Sequence, residues 1–190
     1  MDCVAPDVAC NGNARPKPSP TPSVRRRAIP AVTLTDLVSF RPVAPALASE
    51  PDGIGIVGMP TNLVATAQTQ TLRGELFDFA VSVRFTPDHY SFAYGDGTTR
   101  TSRTAGTRWS ASGDPQFTPT GTSHAYRERG TYMAAVTVSY AATVNFGDGV
   151  WRPVAGFVTS TSAGQSIRVY EAHTALVART CTEKPSGPGC

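Results

Sequence analysis

A chain of 190 residues with a formal net charge of +3 has room for one domain of about 100–150 residues plus tails. Only 16% of its residues are charged, against roughly a quarter in an average soluble protein; Ser, Thr, Gly and Pro fill the gap, a mixture suited to strands and turns. The single basic run, Arg25-Arg26-Arg27, falls short of the dense stripe that nucleic-acid binding needs, and no apolar run reaches the roughly 18 residues of a membrane span.

Residues 1–30 read as an arm. Pro16, Pro18, Pro20 and Pro22 alternate with Lys17, Ser19 and Thr21, which favours extended polyproline II over a packed core. The four cysteines form two terminal pairs, Cys3 with Cys10 and Cys181 with Cys190. Neither pair has the Cys-x-x-Cys spacing of a zinc knuckle or a histidine beside it, so small terminal disulfide loops are the simplest hypothesis. Three pairings stay open, and disulfides imply an oxidising, extracellular or cell-surface compartment. No charged-then-apolar signal peptide opens the chain, so export implies a trimmed form or another route.

In residues 31–61, "TLTDLVSF" suits either a short helix capped by Thr35 or an edge strand. Pro42, Pro45, Pro51 and Pro60 then interrupt the pattern, which predicts irregular chain laid over the domain.

From Asn62 strands take over. A first one spans 63–71, and "TLRGEL" with Gly74 reads as a tight turn into the next. In "ELFDFAVSVRF", Phe77, Phe79, Val81, Val83 and Phe85 share one face, the period of two of a half-buried strand. Pro87-Asp88 reads as a turn leading to Tyr90, Phe92 and Tyr94, and a long polar loop follows to about Pro119. "TYMAAVTVSY" places Tyr132, Ala134, Val136, Val138 and Tyr140 on one face. "VNFGDGVW" is a hairpin, and "SIRVYEAHTALVAR" supplies the last strand or two. Strands with turns between them and no long helix predict an all-β sandwich over 62–178, ahead of a C-terminal tail at 179–190.

Asp96, between Gly95 and Gly97, could be a catalytic carboxylate, a calcium ligand or a hairpin corner. A turn is the reading adopted: glycines take positive φ and the aspartate accepts from local backbone N–H groups. The recurrence of the tripeptide at Gly147-Asp148-Gly149 agrees with this, and one carboxylate per turn is too few for a calcium cage.

"YSFAYGDGTT" followed by "SHAYRERGTYMAAVTV" resembles the PKD (polycystic kidney disease repeat) domain, an immunoglobulin-like sandwich. Gly95, Asp96, Gly97 and Thr98 match that family's Gly-Asp-Gly-Thr, His124 with Tyr126 its His-x-Tyr, and Gly130 with Tyr132 and Val136 its Gly-x-Tyr strand. Phe92, Ala93 and Tyr94 stand where Trp, Asp and Phe are usual. The match covers roughly residues 76–140, in a divergent member with an embellished loop, hairpin and arm. The resemblance implies a tyrosine corner at "ERGTY", with Ala134 where antibodies carry an inter-sheet cysteine. It also implies a structural role for His124. Some domains of this kind bind calcium, but no cofactor or metal is expected here.

No Gly-x-Ser-x-Gly elbow, His-Glu-x-x-His or phosphate loop is present, and His89, His124 and His173 are scattered, so no catalytic site is expected. The most interesting surface is the loop 98–117, where Arg100, Arg103 and Arg108 lead up to Trp109. The plainer reading, preferred here, folds Trp109 back over the end of the core and leaves the arginines solvated. Trp151 is expected in the core. The resemblance implies a non-catalytic extracellular module for adhesion, spacing or protein–protein contact, with a protein or a surface glycan as partner. The alternatives are a carbohydrate-binding module stacking sugars on Trp109 and an immunoglobulin-like subunit of a larger assembly.

Overall fold

A computed structural model describes residues 28–173 and 180–187. Cys3, Cys10, Cys190 and the proline-rich arm lie outside the described residues, and so do the expected pairings of those cysteines, while Cys181 lies within them. The described residues open with a single 3-10 turn at Thr35–Leu37 and continue into β1 (Ala46–Glu50), β2 (Ile54–Ile56), β3 (Pro60–Thr66) and β4 (Gln70–Leu76). Then come β5 (Phe79–Ala93), β6 (Thr99–Ser102), the one-turn helix α1 (Trp109–Ser112), β7 (His124–Ala125), β8 (Gly130–Asn145), β9 (Arg152–Thr161) and β10 (Gln165–Tyr170).

Among the described residues the fold is mostly β, in two sheets. Its spine is the antiparallel pair β5–β8, in register from Ser82↔Asn145 to Ala93↔Ala135 with an irregularity between Pro87 and His89. Alternation builds this spine: Val81, Val83, Phe85, Tyr90 and Phe92 point inward from β5, and Ala134, Val136, Val138, Tyr140, Ala142 and Val144 from β8. Each large apolar side chain so buried stabilises by roughly 1.5–3 kcal/mol.

Each spine strand has two partners in succession along its outer edge. β10 pairs with the start of β8 and β9 with its end, while β4 pairs with the start of β5 and β6 with its end. β2 extends the sheet by pairing parallel to β10. The second sheet has the order β1-β3-β7. The larger sheet is mixed and curls into a half-barrel, which departs from a plain two-layer sandwich.

Residues 32–43 form a strap across the curled part. Leu37 and Phe40 are buried in the core, and Val32 and Leu34 pack against it. A methyl group at Gly74 of β4 would sit 2.7 Å from Phe40 Cζ, and one at Gly156 of β9 would sit 2.7 Å from Leu34 Cδ1. The strap therefore spans the sheet from β4 to β9, and at its end the Val43 N–H donates to Gln70 Oε1 at 2.8 Å.

Four sequence expectations need correction. The segment 31–61 is not wholly irregular, because it contains β1 and β2, and "TLTDLVSF" forms only a 3-10 turn. Gly74 lies inside β4; the reversal falls at Phe77-Asp78, both at positive φ (54° and 61°), so Phe77 leaves the strand face. Pro87-Asp88 is no turn, since β5 absorbs the proline at the irregularity in its pairing. Trp151 is half-buried rather than core, with the Arg84 guanidinium 3.9 Å from its ring centroid.

Candidate functional site

The residues carrying the family resemblance meet at one end of the β5–β8 spine. β5 ends in Ala93, and Tyr94 leads into the Gly95-Asp96-Gly97 turn, whose glycines have φ of 86° and 87°. Gly95 is required twice over: a methyl group there would also lie 2.7 Å from the backbone N and O of Met133.

Asp96 is held at both oxygens. Its Oδ1 accepts from the Thr98 amide at 3.0 Å and the Thr98 hydroxyl at 2.6 Å, and its Oδ2 lies 2.6 Å from His124 Nε2 on β7. Partial burial alone would push this carboxyl up; the bonds from Thr98 and His124 outweigh it and hold the pKa at about 2. The carboxylate thus clasps the β5–β6 turn to β7, a strand 28 residues further along the chain.

Behind the clasp runs an aromatic stack. Tyr94 and the His124 ring lie 4.3 Å apart at 17°, His124 meets Tyr126 edge-on at 4.8 Å, and Tyr126 stacks on Tyr132 at 4.5 Å. Hydroxyls tie this stack to backbone: Tyr126 donates to Tyr94 O (2.9 Å), Tyr94 to Thr122 O (3.3 Å) and Tyr132 to Glu128 O (3.0 Å). Burial pushes the Tyr126 phenol far above its ordinary value. The Tyr132 bond, running back from the start of β8, has the geometry of a tyrosine corner. An open groove beside the stack is lined by Asp96, Thr98, His124, Arg127, Glu128 and Tyr132.

The chemistry available here is limited. Both Asp96 oxygens are occupied, and the His124 nitrogen facing them is committed to the same bond. Among the described residues no three His, Cys, Asp or Glu side chains come together as metal ligands. The second Gly-Asp-Gly repeats the turn without the clasp: Gly147 and Gly149 have φ of 83° and 79°. Asp148 accepts from the Val150 amide and from Arg152, which holds its carboxyl at about 2.

The arginine–tryptophan loop is anchored rather than displayed. Trp109 is 3% exposed, so its face is closed to a sugar ring. Its Nε1–H donates to Thr118 O at 2.9 Å and its backbone N–H to Glu50 Oε2 at 2.9 Å. Arg108 lies 3.6 Å from the same carboxylate, and Arg100 donates to Gly121 O at 3.2 Å. Arg103 is exposed. The hub of this region is the fully buried Asn62, whose amide donates to Glu50 and Thr107 O and accepts from Thr120. Asn62 and Glu50 were not apparent as anchors in the sequence; a lone polar residue at the start of the apolar run "LVATA" is the one signal, and a weak one.

No protein-family model matches this chain, and no curated protein matches it. No described helix is long and apolar enough to cross a membrane.

Proposed function

We propose that this chain is a divergent PKD-like, immunoglobulin-like module that makes non-catalytic protein contacts at a cell surface. The observation carrying this reading is the strand wiring. With β4 and β9 set aside, the strand orders are β1-β3-β7 and β2-β10-β8-β5-β6, which supports an immunoglobulin-like sandwich whose first strand divides between the two sheets. The Tyr132 hydroxyl bond at the start of β8 and the Gly-Asp-Gly turn after β5 also support it. On this reading β4 and β9 are insertions between sandwich strands, and the strap is an extension that precedes the first of them. The Asp96–His124 clasp then has a structural role, and the ends of the module are left for recognition.

The edges of β4 and β9 support a second reading, a subunit of a larger extracellular assembly. Neither has a strand partner on its outer side among the described residues. The deciding experiment is co-sedimentation of purified protein with cell envelopes, before and after protease treatment, beside insoluble polysaccharides. Binding abolished by protease and absent from pure polysaccharide is expected. Protease-resistant binding, or retention by polysaccharide alone, would reject the protein-contact reading in favour of a sugar-binding module.

A further inference from the structure

We propose that the free edge of β4 pairs with the same edge of a second copy of this chain, antiparallel about a two-fold axis at Gly74. β4 joins β5 through a two-residue turn, so Leu76 and Phe79 close the hairpin as a hydrogen-bonded pair. Inward-bonded positions therefore alternate back from Leu76 through Gly74 to Leu72. The backbone groups of Thr71, Arg73 and Glu75 point outward, away from β5. No described strand or loop takes these groups up.

Two such edges can pair in phase only when outward positions face outward positions, which leaves a handful of registers. Centring the axis on Arg73 sets arginine against arginine, and centring it on Glu75 sets glutamate against glutamate. An axis at Leu72 faces both charges with threonine, and one at Thr71 also leaves them without a counter-charge. An axis at Gly74 alone places Arg73 opposite the partner copy's Glu75, and Glu75 opposite its Arg73, as hydrogen-bonded pairs.

Arg73 and Glu75 are exposed, and neither has an ion pair or side-chain hydrogen bond within the chain among the described residues. The same register sets Leu72 across from Leu76 on the inner face. The edge is thus complementary to itself in both charge and apolar pattern. The product is one continuous sheet running from β9 of one copy through both β4 strands to β9 of the other. Its contact is short, so the dimer is concentration-dependent rather than permanent.

A charge-swap series in sedimentation velocity tests this. The wild-type chain should shift toward twice the monomer mass as concentration rises. R73E and E75R should each stay monomeric at concentrations where wild type dimerises, because each sets like charges across the axis. The double variant R73E/E75R should regain association to within a few-fold of wild type. Both positions are exposed, so circular dichroism should show all three variants folded, and the recovery in the double variant excludes misfolding as the cause of loss. A wild type that remains monomeric throughout, or single variants that dimerise like wild type, would overturn the proposal.

Discussion

The Asp96–His124 clasp ties stability to pH in one direction. The folded carboxyl is held at about 2, below its ordinary 3.8, so its contribution is complete above about pH 4 and is lost as pH falls toward 2. With its side chain 20% exposed, solvent screening leaves a term on the order of 1 kcal/mol. Urea midpoints should therefore fall between pH 4 and pH 2 in wild type by more than in Asp96→Asn, and an identical fall in both would remove Asp96 from the account. The two glycines flanking this aspartate separate backbone strain from crowding. Gly97→Ala meets no atom within 4 Å and pays only for its φ of 87°, about 1 kcal/mol. Gly95→Ala pays that and also collides with the Met133 backbone, so it should cost at least about 2 kcal/mol more in chemical denaturation.

At the scale of elements, the strap is what the curled sheet closes on, and its docking can be tested by coupling. Gly74→Ala alone pushes a methyl group against the Phe40 ring, 2.7 Å from Cζ, and should cost about 1–3 kcal/mol. In a Phe40→Leu background the obstruction is gone, and replacing a strand glycine should become neutral or favourable by about 0.5 kcal/mol. A double-mutant cycle with coupling near zero would show that Phe40 does not lie over β4. The strap was also the element least legible from sequence. Its apolar residues Leu34, Leu37 and Phe40 lie in a run too short to separate a helix from an edge strand, and beyond it Pro42 and Pro45 leave no periodicity to read. β5 and β8 were legible because Tyr90, Phe92, Val136, Val138 and their neighbours alternate cleanly. The reversal at Phe77-Asp78 was missed because a phenylalanine at positive φ has no turn signature, whereas Gly74 next to it has one. At the site, the two Gly-Asp-Gly turns could be read locally. The bond from Asp96 to His124 and the Asn62 hub could not, since each joins residues distant in the chain; the resemblance implied a structural role for His124 without its partner, and it did not reach Asn62.

For the whole molecule, the question is whether the strap-covered half-barrel and the end bearing the aromatic stack are separable units. The structure argues that they are not. β5 and β8 run unbroken through both, and one buried cluster extends from Leu37 and Phe40 through Tyr140 to Tyr94 and Ile167. Opening either end would strip strand partners and apolar cover from the same two strands, so partial unfolding exposes the surface of both. The two tryptophans are well placed to report on this, with Trp109 anchored to Glu50 at the end of β1 and Trp151 under Arg84 at the β8–β9 hairpin. Trp109→Phe leaves a reporter for the half-barrel, and Trp151→Phe leaves one for the other end. Each variant will have its own stability, so the comparison belongs within a variant, between its fluorescence and its far-ultraviolet circular dichroism. Coincident denaturation midpoints are expected in both. A fluorescence transition of Trp151 that precedes the loss of strand signal would instead mean that the half-barrel opens alone, with β5 and β8 fraying beyond the irregularity at Pro87.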